Sequence, residues 1–309
     1  MTASPTKRTS AAQTSSSKPS ASTATGSENP QVRRRAGATS RTNRSGRSDA
    51  NAATGPYVLA VANQKGGVAK TTTVASLGAA FAEMGKRVLL IDLDAQACLT
   101  FSLGVDPDTV AVSINEVLIG QAGIRDAIVE CADGVHLVPS VIDLAGAEAQ
   151  LLGRPGREFV LRTILEEVES DYDIVLLDCS PSLGVLTLAA LTAARGLLIP
   201  MPCEMLSHRG VGQLLDTVRD VTRLLNPKLE VIGVLPTLFD GRSAHSQAVL
   251  ADVGERYGLP VIEPPIPKTI RFAEAPAVGR SILTTSKSSK GARAYRAAAK
   301  SLAGRIWGA

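Results

Sequence analysis

The chain has 309 residues, a formal net charge of +4, 44% hydrophobic residues and only 3% aromatic ones. That length supports one large or two medium domains with a real core, and the scarcity of aromatics argues against a β-sandwich or barrel and for an Ala-, Leu- and Val-rich domain. The longest apolar stretch, Val185 to Met201, is broken by Arg195 and falls short of the roughly 18 to 20 uncharged residues of a membrane-spanning helix, which excludes an integral membrane protein of that kind. The N-terminus lacks the apolar segment of a secretory signal, so export is not expected. Cys98, Cys131, Cys179 and Cys203 are widely spaced with no CxxC. The expectation is a reducing cytoplasm, with no zinc site and no disulfide framework.

Residues 1–55 hold nine Lys or Arg against Glu28 and Asp49, a balance of +7, which leaves −3 for the rest. With almost no Leu, Ile, Phe, Trp or Tyr, this leader cannot bury enough apolar surface to offset the entropy of ordering, and it is expected to be disordered. Its cluster from Arg33 to Arg47 fits salt-dependent contact with nucleic acid or an acidic surface, and fits equally a solvated leader without a partner.

From Tyr57 onward, short apolar runs alternate with helical patterns. Strands are predicted at Tyr57 to Ala62, Arg87 to Asp92, Val135 to Pro139, Asp173 to Asp178, Gly196 to Pro200, Val231 to Leu235 and Leu259 to Ile262. Each is apolar throughout, as in parallel strands covered on both faces. Helices are predicted at Thr71 to Met84, Gly210 to Leu225 and Ser289 to Ile306. The alternation predicts a doubly wound, mostly parallel α/β sheet forming one domain over 56–309. In such sheets chemistry gathers at the carboxyl ends of the strands. His136, His208 and His245 have no ligand spacing and read as structural.

The first strand runs into Asn63-Gln64-Lys65-Gly66-Gly67-Val68-Ala69-Lys70-Thr71-Thr72, and a helix begins at once. A Gly-rich turn feeding a helix N-terminus, a Lys for β and γ oxygens and a hydroxyl for Mg²⁺ are what a nucleoside triphosphate requires. Lys70 and Thr71 fill the last two places, although Gln64 and Ala69 stand where the strict pattern has Gly. Asp178 closes the apolar run Ile174 to Leu177, the position for a carboxylate that holds a water of the Mg²⁺ shell or, alternatively, caps the helix after Pro181. Asp94 ends the second strand on the same edge, where a carboxylate can orient an attacking water. Asp92, on the other face of that strand, reads as structural.

With its additional lysine, Lys65-Gly66-Gly67-x-x-Lys70-Thr71 resembles the deviant Walker A loop of the ParA/MinD family of dimerising P-loop ATPases. The resemblance continues through Val88 to Gln96, Ile142 to Glu148, Leu177 to Gly184, Ile199-Pro200 with Cys203-Glu204, and Ile266 to Pro276, and is nearer to the ParA/Soj branch than to MinD. Departures are Ala69, Ala95, Ala97 and Ser180, which stand where Gly, Pro, Gly and Pro are usual; a Cβ at Ala69 is tolerated if its φ is negative. The resemblance implies a P-loop NTPase fold that binds ATP and Mg²⁺ through Lys65, Gly66, Gly67, Val68, Ala69, Lys70, Thr71, Thr72, Asp178, Pro267 and Thr269, with Thr71 at the metal. It further implies catalytic roles for Asp94 and for Lys65, the latter reaching across an ATP-dependent homodimer. It implies sequence-indifferent DNA contacts at Arg242, Lys268 and Arg271, and hydrolysis stimulated by a ParB-type partner. The protein would then be cytoplasmic and nucleoid-associated. The alternatives are a MinD-like ATPase at a membrane surface, which the Ala-rich face of the last helix argues against, and a metabolic or metal-carrier enzyme of the wider group, such as nitrogenase iron protein or dethiobiotin synthetase.

Overall fold

A computed structural model describes residues 55–203 and 208–308. The expectation for the leader lies outside the described residues, as does Glu204. In chain order the elements are β1 (Tyr57–Val61), α1 (Lys70–Glu83), β2 (Val88–Leu93), α2 (Cys98–Ser102), α3 (Ile114–Ile119), α4 (Ile124–Ala127), β3 (Val129–Glu130), β4 (His136–Val138), α5 (Leu144–Leu151), α6 (Val160–Glu166), β5 (Ile174–Cys179), α7 (Val185–Ala193), β6 (Gly196–Pro202), α8 (His208–Leu224), β7 (Glu230–Thr237), α9 (Ala244–Tyr257), α10 (Arg271–Glu274), α11 (Ile282–Thr285) and α12 (Lys290–Trp307).

The strands form one seven-stranded sheet in the order β3-β4-β2-β5-β1-β6-β7, parallel except for the β3–β4 pair. β1, β2 and β5 are buried along their whole length. Their alternate side chains therefore enter two different cores. Val58, Ala60, Leu89, Ile91, Val175 and Leu177 pack with α3, α5, α6 and α7 on one face. Leu59, Val61, Leu90 and Leu176 pack with α1 and α12 on the other.

The first six predicted strands are present with small shifts at their ends. The seventh, Leu259 to Ile262, is corrected: it makes only an isolated bridge, Val261 to Val234, flanked by hydrogen bonds from Val234 N to Pro260 O and from Ile262 N to Val234 O. Pro260 has no N–H, and Pro264 and Pro265 follow, so the segment cannot carry a longer ladder. The short antiparallel β3 is an addition, two residues being too few to show a period.

The predicted C-terminal helix is docked. Ser289 caps it by accepting from Ala292 N at 3.1 Å. Tyr295, Ala298, Ala299 and Leu302 are fully buried against α1 and neighbouring elements. A phenol taken out of water needs a partner, and the Tyr295 and Thr73 hydroxyls lie 3.0 Å apart. Trp307 stands edge-on to Phe81, and the Lys86 ammonium lies 4.3 Å from its ring centre.

Candidate nucleotide site

The carboxyl ends of β1, β2 and β5 converge because these strands are neighbours in register: Val61 pairs with Asp178, and Asp178 with Asp92. The turn after β1 is fixed from both sides. Buried Asn63 donates its side-chain amide to Pro200 O at 2.8 Å and accepts from Lys65 N at 3.0 Å. Thr237, at the end of β7, donates to Val68 O at 3.1 Å. Lys70 is buried, donates to Lys65 O at 3.3 Å, and so lies curled over the loop. Gly66 and Gly67 are exposed at the turn, Gly67 with φ +70°, and Thr71 and Thr72 follow in the first turn of α1.

Ala69 corrects the condition attached to it. Its φ is +70°, in the left-handed region, immediately before α1, so its Cβ is tolerated only with strain. Ala97 repeats the arrangement before α2, with φ +51°. Both alanines that replace the family's usual glycines therefore occupy left-handed positions, each costing about 1 kcal/mol relative to an unstrained conformation.

Asp178 is completely buried, and neither of its carboxylate oxygens has a hydrogen-bond partner among the described residues. Burial pushes its pKa well above the usual carboxylate range; the nearby Asp92 charge adds to this, and the Thr71 hydroxyl and Lys70 ammonium partly oppose it. Burial likewise lowers the pKa of Lys70, with Asp178 the largest of the carboxylates opposing the shift. An orphaned buried carboxylate facing a hydroxyl and a desolvated ammonium suits a divalent cation and a polyphosphate, so the residues fit Mg²⁺ with a bound nucleotide.

Asp92 is buried but satisfied. It accepts from Thr100 N at 2.9 Å, Thr100 Oγ1 at 2.8 Å and Asp94 N at 3.1 Å. Burial still raises its pKa to about 6. Its bonds hold the turn that presents Asp94, which is half-buried and accepts from Gln96 N at 3.0 Å. Asp92 thus positions the turn, and Asp94 is the carboxylate left facing the loop side of the sheet.

The basic candidates form a second group. Phe239 bridges to Pro267, and Lys268 N donates to Phe239 O at 2.9 Å, so the loop bearing Arg242 runs beside the segment bearing Lys268 and Arg271. Arg242 and Lys268 both depress the pKa of Asp240, with Arg242 the stronger influence. Arg242 is 94% exposed and lies 3.4 Å from Asp240; Arg271 pairs with Glu274 at 2.8 Å. Pro267 and Thr269 lie beyond Ile266, whose N–H bonds Pro236 O at the end of β7, so they reach the edge carrying Thr237. Thr269 Oγ1 accepts from Arg271 N at 3.3 Å. Sequence reading assigned no role to Asn63 or Thr237; the available signal was a polar residue directly ending an apolar strand.

A family model described as an AAA domain matches residues 57–231. The sporulation initiation inhibitor protein Soj of Bacillus subtilis is 40% identical over 247 residues, covering 80% of this chain and 98% of Soj. The chromosome partitioning protein ParA of Caulobacter vibrioides is 41% identical over 241 residues, covering 77% of this chain and 90% of ParA. This chain belongs to the Soj/ParA family of P-loop ATPases. Among solved structures, a Mycobacterium smegmatis protein named cobyrinic acid a,c-diamide synthase, with bound ADP and magnesium, is 53% identical with a TM-score of 0.74 and covers 82% of this chain and 97% of its own. The family's phosphate loop is thus carried here on a sheet whose adjoining strand ends supply Asp94 and Asp178. No described helix is long and apolar enough to cross a membrane.

Proposed function

We propose that this protein is an ATP-switched partitioning ATPase: ATP and Mg²⁺ close a homodimer, the dimer holds DNA without regard to sequence, and hydrolysis stimulated by a ParB-type partner releases it. The observation that carries the reading is a buried, unpartnered carboxylate, Asp178, within electrostatic reach of the buried Lys70 ammonium that curls over the Gly66-Gly67 turn. Lys70 and the N–H groups of residues 66–72 would bind the phosphates. Thr71 and Asp178 would hold Mg²⁺ directly and through a water, and the ion would neutralise charge on the β and γ oxygens. Asp94 would orient the attacking water, and Lys65 of each protomer would supply charge to the other's nucleotide.

DNA contact falls to Arg242, Lys268 and Arg271, which the fold gathers beside β7. Because the contacts are to phosphate, binding is expected to be indifferent to sequence and steeply dependent on salt. Doubling them in a dimer makes DNA affinity follow ATP. The protein would accordingly be cytoplasmic and nucleoid-associated. The docked α12 argues against a MinD-like membrane tail, since its apolar face is spent on α1.

The test is DNA co-sedimentation with ATP, ADP and no nucleotide, alongside sizing chromatography. Retention of DNA and a dimer with ATP alone is expected; DNA binding that ignores nucleotide, or none at all, would overturn the switch.

A further inference from the structure

A trans peptide is planar, so a carbonyl oxygen and the N–H of the next residue point to opposite sides of the chain. In the phosphate loop that geometry gives the partner of one carbonyl unusual weight. Gly66, Gly67, Val68 and Ala69 donate no backbone hydrogen bond to any described residue, so their N–H groups stay available to a ligand and take their directions from the carbonyls before them. Val68 O is tied by Thr237, whose hydroxyl donates to it at 3.1 Å from the end of β7. The N–H of Ala69 is thereby turned away from that hydroxyl. On its other side, Ala69 O accepts from Thr73 N at 2.9 Å and opens α1. The left-handed φ of Ala69, +70°, is where these two fixed peptides meet; relaxation to a negative φ would turn one of them over and break its bond.

Thr237 is itself held rigidly. It is completely buried, sits opposite Pro202 in the β6–β7 ladder and accepts from Cys203 N at 3.0 Å. Leu238, which follows, has φ +52°, where a leucine is strained, and Phe239 N then donates to Ile266 O at 3.0 Å. Strain of that kind persists where the surrounding structure over-determines the backbone, and here bonds fix the chain on both sides of Leu238. The Thr237 hydroxyl has no other hydrogen bond among the described residues. A valine would fill the same buried space, so the loop carbonyl alone accounts for a hydroxyl at this position.

We propose that Thr237 is a positioning residue of the phosphate loop: by holding Val68 O it keeps the N–H of Ala69 directed at the phosphate chain of the nucleotide. The inference rests on the phosphate-loop reading above. Without the hydroxyl, the Val68–Ala69 peptide loses the bond that decides which of its two faces meets the ligand, and a flipped peptide presents the negative end of a carbonyl dipole where an anion must bind. Affinity for the phosphate chain, and not for the nucleoside, therefore depends on a hydroxyl 169 positions further along the sequence.

The experiment measures displacement of a fluorescently labelled ADP from the full chain by ATP, ADP and adenosine, with Mg²⁺, in the unsubstituted protein, Thr237→Val, Thr237→Ser and Lys70→Ala. Thr237→Val should bind ATP and ADP about tenfold more weakly, the loss of one hydrogen bond at a buried carbonyl, while adenosine affinity stays within about twofold and Thr237→Ser restores the phosphate-bearing ligands. If Lys70→Ala loses ATP and Thr237→Val does not, the phosphate loop stands and the role of Thr237 is refuted. If Lys70→Ala binds ATP like the unsubstituted protein, the loop reading fails and this inference with it. Equal weakening of adenosine and ATP in Thr237→Val, or a Thr237→Ser as weak as Thr237→Val, would reduce the residue to packing and overturn the proposal. Melting curves check that each variant folds, and the Ala69 amide signal of the unsubstituted protein, seen with ¹⁵N-labelled alanine, supplies a reading that needs no variant. It should move with Mg²⁺ and ADP and not with adenosine; a signal unmoved by ADP overturns the proposal whether or not Thr237→Val folds.

Discussion

The two ends of the β-sheet are built on opposite terms. At the amino end, charges are answered: Arg87 donates to both oxygens of Asp173 and to Ser170 O, Arg125 pairs with Asp171, and His136 lies 2.7 Å from the Tyr172 hydroxyl. At the carboxyl end, Asp178 has no partner, Lys70 is desolvated beside it, and two alanines hold left-handed backbone. The same strands, with the same apolar interior, run between them. One end is optimised for the free protein and the other for a ligand that brings its own charge.

The contrast breaks most sharply at Lys70. Lys70→Ala should lower ATP affinity roughly a hundredfold or more, the cost of about 3 kcal/mol of charge-assisted contact, with dimerisation and DNA retention lost alongside it. Calorimetric titration with ATP checks this, and wild-type affinity would remove the loop assignment. Asp178→Asn separates stability from function. Because burial raises its pKa, the folded protein loses stability as pH climbs above the ordinary carboxylate range, so a neutral side chain should stabilise the nucleotide-free protein by about 1 to 3 kcal/mol at neutral pH while abolishing Mg²⁺-dependent hydrolysis. A lower melting temperature in the absence of nucleotide would show that the carboxylate has a partner after all.

Asp94→Ala should leave ATP binding intact and trap a DNA-bound state, because only water orientation is lost; turnover faster than wild type would contradict that role. Smaller again, Ala69→Gly and Ala97→Gly should each raise stability by about 0.5 to 1 kcal/mol, relief of strain being partly offset by the greater backbone entropy of glycine in the unfolded chain. Denaturant titration resolves that difference, and a destabilised Ala69→Gly would mean the left-handed geometry is not strained. At the amino end, Arg87→Gln should cost on the order of 1 kcal/mol, since the Arg87 side chain of this pair is half-exposed to solvent, and should leave hydrolysis untouched. A change in turnover there would show that the two ends are not independent.

Much of this division was legible in the chain. Apolar runs from Val88 to Ile91 and from Ile174 to Leu177 announced the parallel strands, and the Gly-rich stretch from Lys65 to Thr71 announced the turn that opens α1. Backbone handedness was not legible: nothing in the residue type of Ala69 reveals a φ of +70°, which is set by the loop it closes. Nor were the tethers from Asn63 to Pro200 and from Thr237 to Val68, because they join residues far apart in sequence through the sheet. Leu259 to Ile262 had strand composition, and it was the prolines around it, weighed too lightly, that denied it a ladder.

The bond between Thr73 and Tyr295 spans 222 positions. During synthesis at about 5 to 20 residues per second, α1 therefore leaves the ribosome on the order of ten to forty seconds before the helix that covers it. Through that interval Leu77 and Phe81, fully buried in the finished protein, have yet to receive α12 as their neighbour. The phosphate loop's own helix is among the first elements of the domain to be made and among the last to be enclosed, so its packing waits on the emergence of α12.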